Sequence, residues 1–183
     1  MAIDVYVSDG NGGLKTPDWT TTPPDAQLFS QAGAVLPATW GSYSAASATA
    51  VARSKATDHL GQVTDFEVSM TGLIPNGVYS IFVRTYNPDS VNSQCPSVDF
   101  TTALRAKHFH AGDPTAFTAR RDGQAHFAGR VAGNVLDADQ VQLVIIYHAD
   151  GQTYGAVPNH GEAIGCRPSF SSDAFRHVLV IVK

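Results

Sequence analysis

Histidine is the residue in this chain whose spacing most invites chemistry, because imidazole binds metals and changes charge near neutral pH. His108 and His110 are separated by one residue. In an extended segment both rings point to the same face, about 7 Å apart at Cβ, which suits two nitrogen ligands of Zn or Cu. His148 and His160 flank the Asp150-Gly151 turn, and Asp113 and Glu162 could add oxygen ligands. The sharp reading is a surface metal site drawn from His108, His110, His148 and His160. It requires at least three ligands to converge, and nothing in the sequence makes the two segments neighbours. The plainer reading has His108 and His110 as a polar strand end and His148 bonded to the turn it precedes. On that reading no cofactor is expected.

The same region offers a second candidate. Asp150-Gly151 reads as a two-residue turn, across which His148, Gln152 and Tyr154 ladder as cross-strand pairs. Alternatively, Tyr147, His148, Gln152 and Tyr154 form an exposed patch that recognises carbohydrate or a partner protein. Cys95 and Cys166 are the two cysteines, each beside a proline in a turn-rich stretch. One disulfide between them is expected, contributing about 2–4 kcal/mol, against two unrelated free thiols. Asp9-Gly10-Asn11-Gly12-Gly13 starts like a calcium loop but lacks the acidic residue that would close it, and reads as a plain Gly-rich loop. No catalytic residue is expected. There is no Gly-x-Ser-x-Gly, no cysteine in an activating context, no acid–base pair of carboxylates and no phosphate-cradling loop.

The elements that must position these groups are short β-prone runs punctuated by Gly, Pro, Asn and Asp. Strands are expected at 3–7, 35–40, 48–54, 63–71, 78–86, 98–104, 124–131, 141–148 and 177–182. Residues 8–24 read as an irregular surface excursion pinned by Trp19. Phe66, Val68 and Met70 alternate with Asp65, Glu67 and Ser69, so that strand buries one face and wets the other. Residues 141–148 and 177–182 are nearly continuous apolar runs, expected as central strands covered on both faces. Pro75-Asn76-Gly77 is the strongest hairpin signal, with proline presetting φ and Asn-Gly supplying positive φ. The Ala-rich stretch 45–56 could be taken for helix on propensity, but its Thr, Ser and Val favour strand. The expected fold is all-β, an antiparallel sandwich or jelly roll of about ten strands with little or no helix. Its 183 residues make one domain, 1–183.

Composition narrows the setting. Charged residues are 15% of the chain against roughly 25% in an average soluble protein, and hydrophobic residues are 43%. The surface is therefore polar through Ser, Thr, Asn, Gln and Gly, which suits an extracellular or virion protein. A net charge of −4 without a Lys/Arg cluster argues against nucleic-acid binding. No apolar run is long enough for a membrane helix. Residues 1–7 lack the charged and long apolar regions of a signal peptide, so either export does not use that route or the chain starts after a removed signal.

Three stretches carry a resemblance. Leu73-Ile74-Pro75-Asn76-Gly77-Val78-Tyr79-Ser80-Ile81-Phe82 is similar to the "GL-P-G-YT-W" turn and strand of a broad set of uncharacterised secreted bacterial and archaeal β-sandwich proteins. Tyr147-His148-Ala149-Asp150-Gly151-Gln152-Thr153-Tyr154-Gly155 resembles their C-terminal "YH-DGQT-G" segment, the more specific of the motifs. Thr16-Pro17-Asp18-Trp19-Thr20-Thr21 resembles their N-terminal part. The resemblance implies the sandwich fold and an extracytoplasmic setting, and implies no chemistry.

The expectation is a non-enzymatic extracellular or cell-surface structural protein that works by self-association or partner binding, with the edge strands at the termini as assembly points. The partner is then a second copy or an assembly protein. Two alternatives stand beside it: a phage or viral particle decoration protein, and a metal- or carbohydrate-binding module.

Overall fold

The computed structural model describes residues 5–30, 33–58, 61–86, 100–103, 105–106, 116–148 and 174–183. Two antiparallel sheets make its body. Sheet I runs in the order β5 (Ser47–Thr57), β6 (Gly61–Thr71), β11 (Ala125–Ala132), β9 (Arg105–Ala106). Sheet II centres on β7 (Val78–Tyr86) and β12 (Gln140–His148), with β13 (Ala174–Ile181) beyond β12. On the other side of β7 lie β8 (Phe100–Ala103) and β10 (Ala116–Thr118), which pair with different stretches of it. Two small ribbons precede them: β1 (Val7–Ser8) with β2 (Leu14–Lys15), and β3 (Gln27–Phe29) with β4 (Val35–Thr39). A bridge between Tyr6 and Phe29 ties the two ribbons together. The fold is all-β and sandwich-like, as the strand pattern predicts.

Alternation builds sheet I. Phe66, Val68 and Met70 of β6 and Ala125, Phe127 and Val131 of β11 are buried, while Glu67, Ser69 and His126 are exposed. These inward side chains belong to one apolar cluster with Tyr79, Ile81 and Val83 of β7 and Val141, Leu143 and Ile145 of β12. Phe117 joins the layers, its ring centroid 5.3 Å from Phe127 and 5.6 Å from Tyr79. Residues 47–57 are strand, not helix, because their small residues Ala48, Ala50 and Ala52 alternate against the same core.

Sheet II is buried on its second face as well. Ser80, Phe82 and Arg84 on β7 and Val144, Ile146 and His148 on β12 are all under a tenth exposed, and β12 is the doubly covered central strand that its unbroken apolar run requires. β13 differs from expectation: among the described strands it closes the sheet, paired only with β12.

The Pro75-Asn76-Gly77 turn also departs from expectation, since it makes no hairpin. β6 lies in sheet I and β7 in sheet II, so residues 72–77 form an arch between layers. The reason lies just before the turn, where Leu73 and Ile74 are both buried. Two consecutive buried residues break the period of two and carry the chain across the core instead of back along its own sheet. Gly77 N–H donates to Ile74 O at 2.9 Å, and Asn76 takes φ 58, as the third residue of a type II turn must. Gly77 has no positive φ. It provides room instead, since a Cβ there would lie 2.9 Å from both Ile74 O and Tyr79 Cε2.

A second arch, from β10 to β11, runs beside the first. Leu73 N–H donates to Gly123 O at 2.9 Å and Ala119 N–H to Gly77 O at 2.9 Å. The paired strands β6/β11 and β7/β10 therefore turn the same corner together, the folded-ribbon geometry of a jelly roll.

Two local corrections concern the N-terminal part. The 8–24 stretch contains β2, closed by a loop in which Asp9 Oδ1 accepts from the N–H groups of Asn11 and Gly13 at 2.8 Å each. Trp40 begins a one-turn helix, α1 (Trp40–Ser44), instead of ending a strand. Thr39 caps it and Ser42 returns the bond, a reciprocal arrangement that satisfies two otherwise orphaned donors.

Candidate functional site

His148 is the only member of the four-histidine set within the described residues; His108, His110 and His160 lie outside them. Its ring is buried on the second face of sheet II, with Nε2 2.8 Å from Ser80 Oγ. Register explains the pairing: His148 sits opposite Val78, which makes Ser80 a same-face diagonal neighbour. The sequence offers His148 as a metal ligand, a bond to the turn that follows it or a cross-strand partner of Gln152 and Tyr154, and gives no sign of Ser80, whose place depends on the β7–β12 register. Among the described residues, no group of three or more His, Cys, Asp or Glu comes together as a metal site would need.

The proposed patch of Tyr147, His148, Gln152 and Tyr154 changes character. Gln152 and Tyr154 lie outside the described residues. Tyr147 and His148 are 3% and 5% exposed, too little for a recognition surface. As strand neighbours they also point to opposite faces. Tyr147 packs in the core with its ring centroid 5.3 Å from Tyr79. The candidate disulfide partners Cys95 and Cys166 are outside the described residues too.

A cleft of about 280 Å³ opens between β1, β2, β3 and the segment that follows β2, lined by Lys15, Thr16, Asp18, Thr21, Gln27 and Phe29 among others. Its polar groups serve mainly the loop itself. Asp18 Oδ1 accepts from Thr20 N, Thr20 Oγ1 and Thr21 N at 2.6–2.9 Å, and Thr22 Oγ1 accepts from Asp18 N at 2.7 Å. Those bonds, the Thr20 hydroxyl first, hold the Asp18 carboxyl down at about 2. Gln27 Nε2 donates to the carbonyls of Leu28, Leu36 and Ala38. An Asp followed by Thr at two and three residues is a local-turn signal that sequence reading passed over. Trp19 does anchor this loop, edge-on to Trp40 with ring centroids 4.8 Å apart, although it stays 57% exposed.

Among the described residues, the longest strand paired on one side only is β5, at the edge of sheet I. All eleven residues of β5 pair with β6, and among the described residues no strand pairs with its other side. Ser47, Thr49, Val51, Arg53 and Lys55 face outward, with Val51 53% exposed in the middle. On that outer surface Asp65 gathers the cations: Arg130 Nε lies 2.7 Å from Oδ1 and Lys55 Nζ 3.0 Å from Oδ2. The carboxylate raises the Arg130 pKa, its hydrogen bond being the main cause. Arg53 stands directly opposite Asp65 in the ladder. Of the two cations on β5, Lys55 is thus drawn across its own sheet to Asp65.

Compared with known proteins, the chain matches no family model, no curated protein and no solved structure. Among the described residues, no helix is long and apolar enough to cross a membrane.

Proposed function

We propose that this chain is a non-enzymatic extracellular or cell-surface structural protein that acts by self-association along an open sheet edge. The observation that carries the reading is β5, an eleven-residue strand paired on one side only among the described residues, with an apolar side chain exposed at its centre. An open edge presents a row of backbone donors and acceptors that templates another strand. Strands of this length are usually shortened, bulged or covered when a protein avoids pairing, and β5 runs in unbroken register with β6 throughout. The low charge content fits a surface that meets neighbours at close range. The proposal moves the assembly point from the chain termini, where sequence reading put it, to an internal strand. Light scattering coupled to size exclusion, with electron microscopy across a concentration series, tests it. The expected result is a mass at or above the dimer that falls on dilution. A monomer at every concentration overturns the reading.

A further inference from the structure

We infer that the self-association proposed above takes the form of a twofold dimer in which β5 pairs antiparallel with β5 of a second copy, Val51 facing Val51 of that copy. The proposal rests on the self-association reading and adds the partner, the strand and the register.

The register follows from side chains. A twofold axis perpendicular to the sheet keeps outward residues on the outward face, so odd positions of β5 must oppose odd positions. With the axis at Arg53, that guanidinium meets its own copy; with the axis at Ser54, Arg53 meets Lys55 twice. Like charges directly opposite destabilise a strand pair, so both registers are disfavoured. With the axis at Val51, Arg53 opposes Thr49 and Lys55 opposes Ser47, both neutral. On the core-facing side Ala50 opposes Ala52 and Ala48 opposes Ser54, all small residues that let the layers continue without a clash. The exposed valine meets its own copy on the axis and both are covered. An axis at Ala52 also avoids like charges, but it sets Val51 against Arg53 and leaves each valine beside a guanidinium. The two cations disfavour the axes at Arg53 and Ser54, and of the registers that escape like charges the Val51 axis is the one that sets the exposed valine against its own copy.

Position 51 can therefore be read by charge. Val51→Lys and Val51→Glu each place like charges on the axis and should each raise the dimer dissociation constant, by about 5- to 10-fold. Mixed in equal amounts, the two variants should form a heterodimer near wild-type affinity, because the opposite charges then face one another. Native mass spectrometry and light scattering read all three samples, and circular dichroism of each variant checks its folding. Tighter dimerisation of Val51→Glu alone would place the glutamate against Arg53 and overturn the Val51 register in favour of the Ala52 axis. A wild-type dimer indifferent to both variants would overturn pairing through β5 while leaving self-association intact. A monomeric wild type would remove the reading on which the proposal stands.

Discussion

Asp18 shows how much of the N-terminal structure depends on single polar atoms. Its carboxylate accepts three hydrogen bonds on one oxygen and is held at about 2, below its ordinary 3.8. A depressed carboxyl stabilises the fold above the unfolded value and loses that contribution as the pH falls through the folded one. The turn at 18–22 should therefore stay closed at pH 4 and loosen as the pH is lowered from 3.8 toward 2. The Thr20 and Thr21 amide resonances should report it by NMR, with a midpoint near 2; a midpoint at the ordinary 3.8 would show that the bonds do not hold in solution. Individual side chains were the least legible part of the sequence. The chain itself announces that His148 is polar, but its bond to Ser80 depends on which residues of two distant strands stand opposite each other. Tyr147 reads as a candidate for a surface patch until the register places it against Tyr79.

Elements were more legible, because a period of two is written locally. The 78–86 strand is found at its expected bounds, 63–71 and 141–148 are recovered with the first end one or two residues earlier, and 124–131 is found one residue later at both ends. Turns failed where a local signal has two long-range outcomes. Pro75-Asn76-Gly77 specifies a tight reversal of the backbone, and the same reversal serves a hairpin or an arch. What decided between them was the buried pair Leu73 and Ile74, which cannot both face one side of a sheet. The turn itself is testable. Asn76 is the one non-glycine with positive φ among the described residues, so Asn76→Val should destabilise by about 1–2 kcal/mol and Asn76→Gly should be neutral or slightly favourable. Urea denaturation of the two variants checks the prediction, and equal losses in both would mean that side-chain contacts matter more than backbone geometry.

The whole molecule stands on residues supplied by both sheets to one apolar cluster. Phe66 is fully buried on the inner face of sheet I, and Phe66→Ala should cost about 3–5 kcal/mol in equilibrium unfolding. A loss below 1 kcal/mol would mean that the layers close over the gap. Sandwich class was readable from strand count and patterning, but the partition of strands between layers was not, because alternation tells which face is inward and not which sheet a strand joins. The open edge illustrates the same limit. β5 is no less alternating than its neighbours, and only the assembled sheet shows that no described strand pairs with its other side. β13, the last strand of sheet II, runs close to β5, so the two layers end on the same side of the sandwich.

The two arches also constrain how the chain can be made. The β5–β6 hairpin can form early during synthesis, since its partners are adjacent in sequence. Its second edge then stays open until β11, the next strand of its sheet, ends at Ala132, and its inner face waits for β12 of sheet II, which ends at His148. The first arch likewise lacks its partner until Gly123 has emerged to receive the Leu73 amide. A nascent chain stalled between these points carries a two-stranded ribbon with both edges open and its apolar side bare. Such a ribbon invites neighbouring chains to pair with it before the molecule has closed on itself.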